Sequence, residues 1–116
     1  MNNVEKGDMG EKLAAEYLRE RGYTIIEQNF SVRSGEIDII AETENTLVFA
    51  EVKLRYSKTY GFPRESVGFQ KQSKIRRCAQ KYISDNNLHS RNCRFDVIEV
   101  LMNSGRAQIT HLPDAF

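Results

Sequence analysis

The sequence predicts an α/β protein in which a central, mixed five-stranded sheet is flanked by two main helices. Two segments show the spacing of apolar residues that is typical of helices, one near the N-terminus and one in the second half of the chain. Five shorter segments are rich in β-branched and aromatic residues and are separated by polar turns. The chain order is therefore one helix, three strands, a long helix and two strands. An antiparallel sheet with both helices on one face is the alternative.

The length and composition indicate one globular domain that covers residues 1–116, with flexible ends at 1–8 and 113–116. No apolar run approaches the roughly 20 residues needed to cross a bilayer, and the polar N-terminus lacks the features of a secretory signal. The only two cysteines, Cys78 and Cys93, have no zinc-ligand spacing and fit a reducing compartment. We therefore expect a cytoplasmic protein without membrane contact.

The first helix is predicted over Met9–Arg21, where one face of a helix would be apolar. Asp8 has the residue type of an N-cap, and Glu11 follows three residues later, as in a capping box. Gly22 is placed to end the helix as the glycine that follows the C-cap. The apolar face consists of Leu13, Ala14, Tyr17 and Leu18.

The first strand is predicted over Tyr23–Val32, and a β-hairpin is predicted over Gly35–Arg55. The hairpin consists of two apolar runs joined by the polar segment Thr43–Thr46. If this segment closes the hairpin symmetrically, Glu42 pairs with Leu47 and Ile40 with Phe49. The same register continued along both strands places Asp38 opposite Glu51, and Glu36 opposite Lys53.

Because side chains alternate along a strand, the two faces of this hairpin differ. One face is apolar throughout and comprises Ile37, Ile39, Ala41, Val48, Ala50, Val52 and Leu54. The other begins with Leu47, Phe49 and Ile40 and ends with Asp38, Glu51, Lys53 and Glu36. Opposed carboxylates destabilise a strand pair unless a proton or a cation lies between them.

Three interpretations of the charged end are open. Convergent carboxylates with room for water and phosphate suit Mg²⁺ or Mn²⁺. The charged end is otherwise a solvated face on which Lys53 neutralises Glu36 and Glu51, or a carboxylate pair that affects stability alone.

The second helix is predicted from Phe69 to about Asn86, with strands over Cys93–Leu101 and Arg106–Leu112. Lys71 lies four residues before Ile75 and so continues the apolar stripe of this helix toward its N-terminus. The stripe consists of Ile75, Cys78, Ala79, Tyr82 and Ile83. In the fourth strand, Arg94 and Asp96 share a face and are expected to form an ion pair.

The spacing of the charged hairpin residues resembles the motif of the PD-(D/E)xK nuclease superfamily. Asp38 is followed after twelve residues by Glu51-Val52-Lys53, although Ile37 stands where that motif often has proline. With the flanking sequences, the chain resembles the YraN family of small bacterial proteins from about Gly10 to Val100. The flanks that carry this resemblance are Gly35-Glu36-Ile37-Asp38-Ile39-Ile40, Val48-Phe49-Ala50-Glu51-Val52-Lys53-Leu54-Arg55 and Arg94-Phe95-Asp96-Val97.

The resemblance implies a restriction-endonuclease-like three-layer sandwich and a metal-dependent site for nucleic-acid phosphodiesters. Asp38, Glu51 and the Val52 carbonyl would hold Mg²⁺ or Mn²⁺, and Lys53 would act in catalysis. Glu11 would be a further acidic group from the first helix, as an alternative to its capping role. Nucleic-acid contacts are assigned to Arg33, Arg55 and Lys71. They are also assigned to Tyr60 and Arg64, because the loop that holds them combines aromatic and basic groups.

The charge distribution is compatible with a polyanionic substrate, although the net charge is only +1. Residues 1–52 carry 11 acidic and 5 basic residues, whereas residues 53–116 carry 12 basic and 5 acidic residues. The resemblance, together with this charge distribution, predicts a nuclease-like enzyme that acts on DNA or RNA. The alternative is an inactive module that binds nucleic acid or protein, completed by a partner or by a second copy in a homodimer.

Overall fold

A computed structural model describes residues 3–56 and 67–116, with side-chain environments from residue 8 onward. Seven elements lie within these residues, in the predicted order of helix, three strands, helix and two strands. Their bounds are α1 Asn3–Glu20, β1 Thr24–Val32, β2 Gly35–Thr43, β3 Thr46–Arg55, α2 Phe69–Asp85, β4 Asn92–Asn103 and β5 Arg106–Leu112. Neither helix is long and apolar enough to cross a membrane, over the residues described.

The five strands form one mixed sheet in the order β1-β2-β3-β4-β5. Strands β3 and β4 are parallel, and every other neighbouring pair is antiparallel. The parallel pair requires a crossover, which α2 provides. This topology excludes the fully antiparallel alternative.

The two helices cover opposite faces of the sheet, as a three-layer sandwich requires. On the α1 face, Ala14 and Leu18 pack on the central strands. On the α2 face, Ile75 and Tyr82 pack against Phe49 of β3. Both amphipathic stripes therefore contact the sheet as predicted, and the predicted fold class is confirmed.

Helix α1 starts earlier than the sequence predicted. It begins at Asn3, so Asp8 lies inside the helix and the predicted N-cap role of Asp8 is wrong. Residues 3–8 carry no apolar stripe, which is why periodicity missed them. The C-terminal prediction is confirmed, because Gly22 has φ 89° and its N–H donates to the Arg19 carbonyl at 3.1 Å.

The hairpin turn fixes the predicted register between β2 and β3. Glu44 and Asn45 both have positive φ, the conformation that suits a two-residue turn between twisted strands. The ladder then pairs Glu42 with Leu47 and Ile40 with Phe49, as predicted.

Candidate functional site

The candidate site lies where β2 and β3 separate. Their ladder ends at the pair Ile39–Ala50, so the predicted direct pairing of Asp38 with Glu51 does not continue it. The Val52 N–H instead donates to Asp38 Oδ2 at 2.8 Å. An aspartate side chain thus replaces a strand as the partner of this N–H, and the two strands open beside it.

The separation also changes which face Ile37 occupies. The alternation predicted Ile37 on the same face as Ile39, but Ile37 packs with Ile40 and Phe49 on the α2 side. Ile39 lies on the α1 side as expected. The regular alternation of a paired hairpin cannot be extrapolated past the point where the pairing stops.

Glu51 is the most buried acidic residue of this site, with 5% of its surface exposed. Lys71 Nζ from α2 lies 2.6 Å from Glu51 Oε1, and Lys53 Nζ lies 3.6 Å from the same atom. The alignment of Lys71 with the apolar stripe is therefore explained, since the stripe directs this lysine toward the sheet.

The two lysines have pKa values displaced in opposite directions. Burial, together with the nearby charge of Lys71, lowers the pKa of Lys53. Burial alone would lower the pKa of Lys71 as well, but its hydrogen bond to Glu51 raises it overall. Lys53 is thus the lysine more readily deprotonated, a property useful in a proton acceptor.

Asp38 is the residue whose acidity the fold changes most clearly within this site. Burial raises its pKa to about 7, and the negative charges of Glu51 and Glu11 act in the same direction. The Val52 N–H opposes this effect by stabilising the carboxylate. Near neutral pH, Asp38 therefore holds a proton for part of the time, and a bound cation would replace that proton.

Glu11 faces this same end of the sheet from α1. Burial and the charge of Glu36 raise its pKa. Its Oε1 atom is buried and has no hydrogen-bond partner among the residues that the structure describes. Because Asp8 is not an N-cap, the capping-box alternative for Glu11 is wrong, and Glu11 is left as an acidic group beside the site.

The donor set fits a hard divalent cation that retains part of its hydration shell. Carboxylate oxygens are preferred ligands of Mg²⁺, which commonly takes one or two of them together with water and phosphate. Across residues 3–56 and 67–116, no three histidine, cysteine, aspartate or glutamate side chains are grouped to hold a metal ion. Asp38 and Glu51 are the two side chains of this site that could supply such oxygens, and Glu11 is not grouped with them as a third ligand.

A stability measurement tests how much the buried carboxylate of Asp38 destabilises the metal-free protein. Its pKa is raised on folding, so stability is greatest below the unfolded-state pKa near 4 and falls as pH rises through about 7. We expect Asp38→Asn to stabilise the metal-free protein at pH 8 by about 2 kcal/mol, because the penalty of the shifted pKa exceeds the weaker hydrogen bond of an amide to Val52. Urea unfolding in EDTA should show this gain, with almost none at pH 4.

The control for this measurement is Asp85→Asn, which changes an exposed carboxylate paired with Lys81. Its effect should be below about 1 kcal/mol at both pH values. An Asp38→Asn effect that is equal at pH 4 and pH 8 would contradict the assigned environment of Asp38.

Comparison with known proteins places the chain in a family. The model of the Uncharacterised protein family UPF0102 matches residues 10–100. The chain belongs to the UPF0102 family. A UPF0102 protein of Clostridioides difficile strain 630 is 49% identical over 116 residues, covering 100% of both chains. One from Caldanaerobacter subterraneus subsp. tengcongensis is 44% identical, over 100% of this chain and 98% of the relative.

A UPF0102 protein of Clostridium acetobutylicum is 50% identical over 87% of this chain and 83% of its own. UPF0102 is the family that the resemblance to YraN predicted, so that recognition is confirmed. The matched range includes every site residue discussed above, from Glu11 to Lys71. Membership in UPF0102 shows which proteins the chain is related to, and a nuclease activity is a separate proposal.

The residues of this UPF0102 chain that were predicted to contact nucleic acid differ from one another in their surroundings. Lys71 is part of the site, whereas Arg33 is exposed in the β1–β2 turn. Arg55 Nε is 2.8 Å from Glu99 Oε2, so part of its charge is already neutralised. Tyr60 and Arg64 lie outside the described residues.

A second polar cluster in this UPF0102 fold surrounds Asp96, which is fully buried. Arg94 binds it through two nitrogens, at 2.9 and 2.8 Å, which confirms the predicted ion pair. His111 Nε2 lies 2.7 Å away and the Asp114 N–H donates at 2.9 Å, two contacts that the sequence did not predict. His111 gave no local signal because it reaches Asp96 only through the register of β5 on β4.

Proposed function

We propose that this chain is a metal-dependent nuclease that hydrolyses phosphodiester bonds of DNA or RNA, with Mg²⁺ or Mn²⁺ as its cofactor. One observation carries the proposal. Two carboxylates, Asp38 and Glu51, are forced together at the point where β2 and β3 separate, and two lysines converge on Glu51. Acidic groups that hold a cation, next to basic groups that contact phosphate, are what hydrolysis of a polyanion requires.

The acidic residues would hold the cation. Asp38 and Glu51 supply carboxylate oxygens, the Val52 carbonyl is a further ligand, and Glu11 adds negative charge from α1. A bound divalent cation would neutralise charge on the scissile phosphate and make water more acidic. The fold contributes a buried Glu51 and an Asp38 whose orientation is fixed by the Val52 N–H.

The lysines would act on the water and the phosphate. The lowered pKa of Lys53 allows its amine to orient the attacking water or accept a proton from it. As an ammonium group, Lys53 would stabilise negative charge that develops on the phosphate. Lys71, which is about half exposed on α2, would contact a phosphate oxygen.

A second candidate function is a nucleic-acid-binding or protein-interaction module without turnover. The observation that favours it is the pairing of Glu51 with both lysines, which balances its charge without a metal ion. A second copy of the chain or another protein would then supply additional contact surface.

Calorimetric titration with Mg²⁺ and with Mn²⁺ separates the two functions. We expect saturable binding to the wild type and none to the double variant Asp38→Asn/Glu51→Gln. The control Glu20→Gln/Asp85→Asn removes the same charge from exposed positions on α1 and α2 and should bind as the wild type does. Cleavage of nucleic acid by the proposed route requires that the wild type binds the cation and that the double variant does not.

A cation site completed by substrate phosphate is tested by repeating the titration with a short phosphorothioate strand present. Binding that appears only with the strand, and only when Asp38 and Glu51 are intact, supports the nuclease. Absence of binding under both conditions overturns it and favours the interaction module.

A further inference from the structure

An open cavity of about 700 Å³ lies beside the candidate site, between the β1–β2 turn and the first turns of α2. Gly35 and Glu36 line the sheet side, and Phe69, Lys71 and Lys74 line the helix side. Its volume is within the range of about 300–1,000 Å³ typical of ligand pockets. Lys71 joins the cavity to the site, because its ammonium group contacts Glu51.

Phe69 is the feature of this cavity that the fold does not explain. It is the first residue of α2 and is 81% exposed, the highest value among the large apolar side chains described. The core stripe of the helix begins further along, at Ile75. An aromatic ring in water adds little to stability, whereas its face is a platform on which a nucleobase can stack.

Two cations border the same cavity. Lys74 is exposed about one and a half turns after Phe69 and forms no ion pair with the residues described, 3–56 and 67–116. A Cβ atom added at Gly35 would lie 3.4 Å from the Lys74 Cβ, so the turn packs closely on the stem of this lysine. Lys71 and Lys74 are three residues apart on a helix and therefore project from neighbouring positions. A charged groove that carries an aromatic platform is typical of single-strand binding.

We infer that this cavity binds one unpaired nucleotide of a single-stranded nucleic acid, with its base stacked on Phe69 and its flanking phosphates near Lys71 and Lys74. This inference rests on the proposed function, which places the scissile bond at the candidate site. It adds the class of nucleic acid that the site would act on. A base within a duplex is stacked between its neighbours and cannot offer a face to Phe69 without being extruded. The substrate is therefore single-stranded, or has an unpaired segment beside the bond that is cut.

The test is a binding measurement without metal, so that cleavage does not enter. The probes are an eight-nucleotide strand that contains 2-aminopurine, in DNA and RNA versions, and the blunt duplex of the same sequence. We expect the wild type to prefer the single strand and to quench 2-aminopurine fluorescence. Phe69→Ala should weaken single-strand binding about tenfold and abolish the quenching, because one stacked base is lost.

Matched variants distinguish stacking from loss of folding. Phe69→Trp should restore binding, and Ile26→Ala, which truncates an exposed apolar side chain on β1, should change nothing. Lys74→Ala should weaken binding more than Lys81→Ala, which removes an exposed lysine paired with Asp85 farther along α2. Unchanged melting temperatures would show that these variants fold.

Two results would overturn the inference. One is equal binding of the single strand by the wild type and Phe69→Ala. The other is a wild type that binds the duplex as tightly as the single strand. Cleavage with Mg²⁺ is measured separately. Binding that depends on Phe69 but is not followed by cleavage would support the nucleotide pocket. It would contradict only the proposed nuclease activity.

Discussion

Lys53→Ala is expected to lower the rate constant of phosphodiester cleavage, kcat, by about 10²–10³, the usual cost of removing one preorganised electrostatic group. The ammonium group of Lys53 lies 3.6 Å from Glu51 Oε1, beside a carboxylate that is proposed to hold the cation. Asp38 and Glu51 are intact in this variant, so metal affinity should not fall. Cleavage of a labelled strand, together with metal titration, measures both quantities.

Two further variants define what Lys53 does. Lys53→Arg keeps the positive charge but cannot be deprotonated, so it should retain most of the activity if Lys53 stabilises charge and little if it moves a proton. Lys81→Ala is the control, because it removes a lysine that pairs with Asp85 near the end of α2. A Lys53→Ala protein that cleaves as fast as the wild type would remove Lys53 from the mechanism.

A binding module gives the opposite pattern. If the wild type binds strands without cleaving them and Lys53→Ala binds equally well, the interaction function is supported. The nuclease is supported only when binding is retained and turnover falls. The distinction follows from the position of Lys53, which is partly buried beside Glu51 and offers less surface to a strand than Lys71 or Lys74 does.

Local sequence patterns predicted the fold because the core is built from regular periodicities. Alternation placed Phe49 and Ile40 on one face, and helical spacing placed Ile75 and Tyr82 against them. Turn chemistry fixed the hairpin register through Glu42–Leu47. These features depend on residues close in the chain, and this is the information that periodicity contains.

Prediction failed where a side chain replaced a backbone partner. The Asp38 carboxylate accepts the Val52 N–H, and from that point the pairing of β2 with β3 stops. Alternation therefore assigned Ile37 to the wrong face. The convergence of Lys71 on Glu51 was only partly foreseen, because it depends on how α2 packs across the sheet.

Only part of the buried cluster around Asp96 was predicted, because only part of it depends on residues close together in the chain. Arg94 and Asp96 are two residues apart on one strand, so alternation alone places them on one face. His111 reaches Asp96 through the pairing of Ile98 with His111 across β4 and β5. Nothing local to Leu112 or Pro113 indicates that the following Asp114 N–H would turn back to donate to Asp96.

Asp96→Ala is expected to destabilise the protein by about 3–5 kcal/mol, the cost of removing one partner from a buried ion pair. Arg94, His111 and the Asp114 N–H would all lose their shared acceptor. Urea unfolding at pH 7 measures the change, and Asp85→Ala, which breaks an exposed ion pair, should cost less than about 1 kcal/mol.

The pH dependence of the stability difference between the wild type and Asp96→Ala tests whether loss of the Asp96 charge causes it. Burial alone would raise the pKa of Asp96, but hydrogen bonds from His111, Arg94 and the Asp114 N–H lower it overall. A depressed pKa stabilises the fold above the unfolded-state value near 4, and the benefit is lost as pH falls through the folded-state pKa. The stability gap between wild type and Asp96→Ala should therefore narrow in acid. A gap that is constant with pH would mean that the lost side-chain volume, and not the charge, accounts for the effect.

The same variant connects stability to the candidate site. Asp96 pairs with Ala50 in the parallel ladder of β3 and β4, and the next residue of β3 is Glu51. Beyond Ala50, β3 has lost β2 as a ladder partner. It keeps the hydrogen bond from the Val52 N–H to Asp38, and its backbone ladder continues with β4 only. Loosening β4 at Asp96 should thus displace Glu51 and weaken metal binding even where the variant remains folded. Wild-type metal affinity in a folded Asp96→Ala protein would show that β4 supports the core without positioning the site.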